Sequence, residues 1–238
     1  MQPVEDGSLR GLVFDLDDTL VAATRARLRG NRVLRELGID PRHWRQVSGR
    51  WWRRYQAGEI TSQELRFGRF AELGLEGEAG VAADEAWRRV AFGARLRLGA
   101  RRLLLEARRA GLRTAILTNG TIDPQRNKLQ ANGLVELVDV TIVSEEVGHH
   151  KPHPEAFRHA LGRLELGAAQ AGMVGDDLAA DVEGALQAGF ARIAWVTGAQ
   201  DAGHPDERVV VVRRLDQVLP ALDIGRDGRV RAAGGPLG

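Results

Sequence analysis

The 238-residue chain has no cysteine. Disulfides, a thiol nucleophile and thiolate metal sites are thereby excluded. Lysine is almost absent too: Lys128 and Lys151 are the only two, and arginine carries nearly all the positive charge. With so few, each lysine needs a reason. No apolar run approaches the roughly 18 residues of a membrane span, and the N-terminus carries no apolar signal core. A charge surplus is also missing: 34 Lys and Arg stand against 32 Asp and Glu, a formal net charge of +2. The high isoelectric point, about 9.6, therefore reflects arginine's pKa. Basic and acidic residues are interspersed, which does not argue for nucleic acid. Neither a P-loop nor a G-x-G-x-x-G is present, so nucleoside-triphosphate or dinucleotide binding by those devices is unsupported. What remains is the composition of an ordinary globular protein, 43% hydrophobic and 28% charged. The expectation is a cytoplasmic monomer or homodimer with no membrane or nucleic-acid partner.

What is present is organised around residues 11–20, GLVFDLDDTL. The apolar run Leu12-Val13-Phe14 reads as a buried strand that stops at carboxylates. Asp15 and Asp17 lie two residues apart, so in an extended chain they face one side. Adjacent carboxylates repel and raise one another's pKa unless a positive charge lies between them. A hard divalent cation, Mg²⁺ above all, is the simplest remedy. An Asp-rich turn with capping roles would look similar taken alone.

From residue 21 to about 96 the chain reads as helical and arginine-rich, with helices expected at 31–37, 43–55, from 61 through 70, and 81–92. Asp40-Pro41 marks a restart, and Thr61 followed by Glu64 has capping-box spacing. From Ala100 the pattern alternates: strands at 114–118, 138–143, 172–175, 193–196 and 209–212, separated by helices at 101–110, 124–131, 154–164 and 181–188. Strands separated by helices mean βαβ units and a parallel sheet. The fold class is therefore α/β: a Rossmann-like three-layer core with a parallel sheet plus an inserted all-α cap domain. The core is expected at 1–20 and 97–225, the cap at 21–96 and a frayed tail at 226–238.

Open parallel sheets bind ligands beyond the carboxyl ends of their strands. Here those ends carry Asp15 and Asp17, then Thr118-Asn119-Gly120, then a loop leading to Lys151-Pro152, then Asp176-Asp177 with Asp181 a turn later. Carboxylates, a hydroxyl with amides, and a lysine converge on one rim, the inventory for a metal–phosphate pair. Singly, each could be a turn, a loop lysine or an N-cap.

FDLDDTL, LTNG, SEEVGHHKP and VGDDLAAD resemble, in order, the four motifs of the haloacid dehalogenase-like (HAD) hydrolase superfamily. The helical segment after the first motif resembles the cap of its subfamily I. TNG, SEEVG-x-x-KP and YQAGEIT together are most similar to pyrimidine 5'-nucleotidases and N-acylneuraminate-9-phosphatases.

The resemblance implies a Mg²⁺-dependent phosphatase acting on a small phosphorylated metabolite, a nucleoside monophosphate or sugar phosphate. It makes Asp15 the nucleophile, forming an aspartyl-phosphate, and Asp17 the general acid and base. That acid needs a pKa raised toward neutrality, which crowding could supply. It places Mg²⁺ on Asp15, on the backbone carbonyl of Asp17 and on Asp176, with Asp181 and Asp177 holding metal-bound water. Thr118 and the Asn119 amide would take phosphoryl oxygens, and Lys151 would neutralise Asp15 and the transferred group. Dehalogenases of the superfamily lack an acid at the position of Asp17, which favours phosphate over haloacid. A phosphomutase, or a non-catalytic phosphoester-binding regulator, is the alternative.

Within the expected cap, Arg45, Arg50, Arg53 and Arg54 could pair with an anionic substrate, and Trp51, Trp52 or Tyr55 could stack on a base. Helical spacing instead favours aromatics in the cap's own core and arginines on its solvated face. His149, His150, His153 and His159 lack the carboxylate pattern of a zinc site and read as polar residues near the entrance.

Overall fold

The computed structural model describes residues 8–91, 93–200 and 202–224. The expected tail, 226–238, lies outside the described residues. Six parallel strands form one sheet: β1 (Gly11–Phe14), β2 (Arg113–Thr118), β3 (Val140–Val143), β4 (Ala171–Gly175), β5 (Arg192–Val196) and β6 (Val209–Val212). Their order is β3-β2-β1-β4-β5-β6. The chain steps outward from β1 to β3, then returns to place β4 on β1's other edge. That reversal leaves a crevice at the carboxyl ends of β1 and β4.

Both faces of the sheet are buried, and the strand period of two divides its side chains between them. Leu12, Phe14, Ile116, Val174 and Ala194 enter one core; Val13, Ala115, Leu117, Met173 and Ile193 enter the other. The first face is covered by helix α5 (Ala100–Arg109) through Leu103, Leu104 and Ala107, and by Leu129 of α6 (Ile122–Ala131). The second is covered by α8 (Pro154–Leu164), through Ala156, Phe157, Ala160 and Leu161. A short helix, α7 (Ser144–Val147), opens the segment before α8.

Four helices intervene between β1 and α5: α1 (Ala23–Glu36), α2 (Pro41–Gln56), α3 (Ser62–Ala71) and α4 (Gly77–Ala91). The Asp40 side chain caps α2 by accepting from the Arg42 amide at 2.8 Å, with Pro41 in the first turn. Thr61 and Glu64 form the expected capping box on α3. Leu34, Ile39, Trp44, Phe70 and Ala83 make one small core there; Tyr55, Ile60 and Leu65 make another. The chain enters and leaves this segment side by side. Val21 and Leu96 form an antiparallel bridge, with Ala22 N–H donating to Arg95 O at 2.9 Å and Arg97 N–H to Leu20 O at 2.8 Å.

Several boundaries differ from the sequence reading. Helix α1 starts at Ala23 rather than 31, because its buried stripe is Ala23, Ala26, Gly30 and Leu34. Small residues at helical spacing give little hydrophobic signal among arginines. Strand β3 starts two residues later than expected. The expected helix at 181–188 begins earlier, as a π-helical turn over Leu178–Glu183 that runs into α9 (Gly184–Gln187). A last helical segment, Leu215–Gln217 and then α10 (Val218–Ala221), was not expected; Pro220 inside it reads as a helix breaker.

Phe70 is fully buried, with its ring centroid 4.6 Å from that of Trp44. Phe70→Ala is expected to cost ~3–5 kcal/mol of stability in urea denaturation. A loss below about 1 kcal/mol would mean that the helical segment does not depend on this core.

Candidate functional site

The site is built on the residues just past each strand at the reversal. Asp15 comes directly after β1, where its amide continues the ladder by donating to Val174 O at 2.9 Å. The chain then turns back, with the amides of Leu20 and Val21 both reaching Leu16 O at 2.9 Å. Asp17 is therefore not on the strand, and alternation is not what brings it to the site. Asp18 holds this turn in the left-handed region, at φ 64°. Its carboxylate accepts from Thr24 N–H and Oγ1, each at 2.7 Å, and from Arg27 at 2.5 Å.

Lys151 is 1% exposed, and its Nζ lies 2.8 Å from Asp15 Oδ1 and 2.7 Å from Asp181 Oδ1. Its backbone is pinned by Asn119, whose Nδ2 donates to Lys151 O and whose Oδ1 accepts from Lys151 N–H, both at 2.8 Å. Asp176, after β4, accepts from Thr19 Oγ1 at 3.1 Å. Asp181 approaches over Gly175: a Cβ there would lie 2.4 Å from the Asp181 Cβ, Cγ and Oδ2, so only glycine admits that carboxylate. Asp15, Asp176 and Asp181 offer oxygens within 4.8 Å of one another. Asp15 Oδ2 is buried without a hydrogen-bond partner.

Burial drives the Asp15 carboxyl well above its ordinary value; Lys151 opposes this, while Asp181 and Asp176 add to it. Burial and then Asp181 raise Asp176 to about 6. Asp15 and Asp181 hold Lys151 firmly protonated against its burial. An all-oxygen cluster with an orphaned buried oxygen and raised carboxyls fits a hard divalent cation such as Mg²⁺.

Asp17 departs from expectation. Burial raises its carboxyl, but Lys128 Nζ lies 2.7 and 2.6 Å from its two oxygens and outweighs burial, so its pKa is lowered. Gln125 Nε2 adds a bond at 3.0 Å. The raised pKa expected from crowding is thus found on Asp15 and Asp176 instead, and the Asp17 carboxylate lies outside the acidic cluster. Asp177 also lines the cleft, and its Oδ1 accepts from the amides of Ala179 and Ala180 at 2.9 and 2.8 Å, capping the π-helical turn. Thr118 is buried at the end of β2, and its Oγ1 accepts from Gln125 Nε2 at 2.6 Å.

Lys128 and Gln125 lie outside the motifs, and Thr19, inside the first, was given no role by the sequence reading. The scarcity of lysine was the one signal for Lys128. The cap residues also divide. Arg50 and Trp51 are tied to Glu72, Arg54 pairs with Glu59, and Trp52 and Tyr55 pack edge-on against His150. His153 Nδ1 caps α8, and no histidine joins a potential metal cluster among the described residues.

A cleft of about 900 Å³ opens between the strand ends and the four helices, lined by Asp15, Asp17, Thr118, Asn119, Lys151, Asp176 and Asp181 below. A family model described as haloacid dehalogenase-like hydrolase matches residues 9–189, from before β1 to the end of the segment after β4. The chain belongs to this family. The phosphoserine phosphatase of Thermus thermophilus is 35% identical over 86% of this chain and 96% of its own. The pyrimidine 5'-nucleotidase YjjG of Escherichia coli is 33% identical over 87% of this chain and 96% of its own. The magnesium-bound structure of the putative HAD-hydrolase YfnB from Bacillus subtilis superposes with a TM-score of 0.72 at 25% identity, covering 91% of this chain and 100% of that one. This HAD-like hydrolase shares the α/β fold of that structure.

In the metal-free protein, ionising the partly buried Asp176 beside Asp181 opposes folding. A carboxyl raised from 3.8 to about 6 contributes most stability below pH 3.8 and loses it as pH rises to about 6. Asp176→Asn is therefore expected to be more stable than wild type at pH 7, with the difference shrinking toward pH 4. Urea midpoints in chelator measure it; a pH-independent difference would contradict the assignment.

Proposed function

We propose that this HAD-like hydrolase is a Mg²⁺-dependent phosphatase of small phosphomonoesters acting through a phosphorylated Asp15. The observation that carries the reading is Asp15 itself. One of its oxygens is held by Lys151, and the other is buried without a partner at the mouth of the sheet's reversal. Phosphatases among the relatives support the same class.

Asp15 Oδ2 attacks phosphorus, the ester P–O bond breaks, and the leaving oxygen takes a proton from Asp17. Water then gives its proton to Asp17 and attacks the aspartyl-phosphate, releasing inorganic phosphate and the free Asp15 carboxylate. Bound to Lys128, Asp17 is held ionised, the form needed to take up the water's proton. Acting as the acid requires it to leave Lys128 and become protonated as substrate fills the cleft. Thr118 and the Asn119 amide line the cleft beside Lys151 and receive phosphoryl oxygens. Lys151 faces Asp15 as a compact ammonium and offsets charge on both nucleophile and phosphoryl group.

Asp15, Asp176 and the backbone carbonyl of Asp17 would hold Mg²⁺, with Asp181 orienting bound water. The ion would supply neutralisation of the negative charge gathered between carboxylate and phosphate.

Inorganic phosphate release from p-nitrophenyl phosphate tests the reading. Activity is expected with Mg²⁺ and lost after exhaustive chelation. Asp15→Asn is expected to lower kcat roughly 10⁴-fold or more, and Asp17→Asn about 10²- to 10⁴-fold. Full turnover without a divalent cation, or a wild-type rate in Asp15→Asn, would overturn it. Because Asp176 ionises near pH 6, the Mg²⁺ concentration giving half-maximal rate is expected to rise as pH falls from 7 to 5.

A further inference from the structure

The cleft has two differently charged walls. Below are the carboxylates at the strand ends with Lys128 and Lys151; the helical wall carries Arg45 from α2, Arg66 and Arg69 from α3, and Asp84 from α4. Arg66 and Arg69 are three residues apart and so share one face of α3. Asp84 is 1% exposed and accepts from Arg66 Nε and Nη2 at 3.0 and 2.8 Å, and from Arg69 Nη2 at 3.4 Å. Arg45 is exposed and makes no ion pair among the described residues. Arg27 and Arg88 also line this cleft but pair with Asp18 and Asp123, so Arg45, Arg66 and Arg69 are balanced by Asp84 alone, a local excess of two positive charges.

Arg69 is the sharpest case. Its side chain is 15% exposed, and its Nε is buried with no hydrogen-bond partner. The guanidinium lies over the rings of Trp44 and Phe70, at 5.0 and 5.6 Å, so it is fixed in place. Burial, only partly opposed by Asp84, pulls its pKa down to about 10. A buried charge with an unmet donor is costly unless something negative meets it. The donor set comes from α2 and α3 and lines the same cleft as Asp15 at the strand ends.

We propose that the substrate carries a second anionic group, a carboxylate or a second phosphate, and that Arg45, Arg66 and Arg69 receive it. The proposal rests on the phosphomonoesterase reading above and narrows its substrate class. Neutral sugar phosphates without a further charge would then be poor substrates. A planar fork of donors suits either oxyanion, which both accept bidentate bonds.

The test compares matched pairs: 3-phosphoglycerate against glycerol 3-phosphate for the carboxylate, and fructose 1,6-bisphosphate against fructose 6-phosphate for the second phosphate. In at least one pair the wild-type kcat/KM ratio is expected to favour the doubly anionic ester by about 10- to 100-fold. Arg45→Gln and Arg69→Gln are expected to bring that ratio toward one, chiefly by raising KM for the anionic member, with Arg69→Lys restoring part of it. The ratio cancels any general loss of folded enzyme, and exposed Arg45 keeps the test available if Arg69 variants do not fold. Wild-type ratios near one in both pairs, or variants that lose both members in parallel, would overturn the proposal. Absence of any phosphate release, including from p-nitrophenyl phosphate, would instead sink the phosphatase reading on which it stands.

Discussion

One buried ammonium holds this site together. Lys151 Nζ bridges Asp15 and Asp181, and Asp176 lies within the same few ångströms. Three carboxylates against one lysine leave a net charge of minus two in a buried space. Such a cluster is stable as carboxylate only with further positive charge, which is why burial and mutual repulsion drive Asp15 and Asp176 toward the neutral form. The Lys151 backbone cannot drift away, because the Asn119 side chain clamps it through both its N–H and its carbonyl. A point charge, a fixed backbone and a glycine that lets Asp181 close in are three parts of one electrostatic device.

The sheet topology explains why these residues meet. Asp15 and Asp176 are 161 positions apart in sequence, yet Phe14 pairs with Val174 in register. Placing β4 against β1 after the outward excursion to β3 brings the first and last motifs together at one crevice. Hydrophobic alternation on both faces of the strands fixes that register, since a one-residue slip would exchange the two cores. Packing of Leu12, Val13 and Phe14 thus sets the position of charge a residue later.

Much of this was legible in the amino-acid order because it is locally written. Each strand shows as an apolar run, and the chemical groups come at strand ends or, for Lys151 and Asp181, in the segment that follows, so Asp15, Thr118, Asn119, Lys151, Asp176 and Asp181 could be named and are found lining one cleft. What was missed depends on distant partners. Lys128 reaches Asp17 across 111 positions and reverses the expected shift of its carboxyl; Thr19 reaches Asp176 across 157. No local pattern encodes such meetings. Asp177 shows the reverse problem: its motif position suggested a metal role, while its immediate neighbours Ala179 and Ala180 give it a capping one. The start of α1 was hidden because alanine and glycine, not leucine, form most of its inward stripe.

The bridge between Val21 and Leu96 has a bearing on how such a molecule can change. Because the chain leaves the sheet and rejoins it side by side at this bridge, the helices between form one continuous stretch of sequence, tied to the rest of the molecule elsewhere by contacts such as Arg88 with Asp123 and Tyr55 with His150. On the reading proposed above, the reacting groups and the arginines that select the substrate are inherited on separate stretches of the polypeptide. New selectivity can therefore be acquired by exchanging one continuous insert.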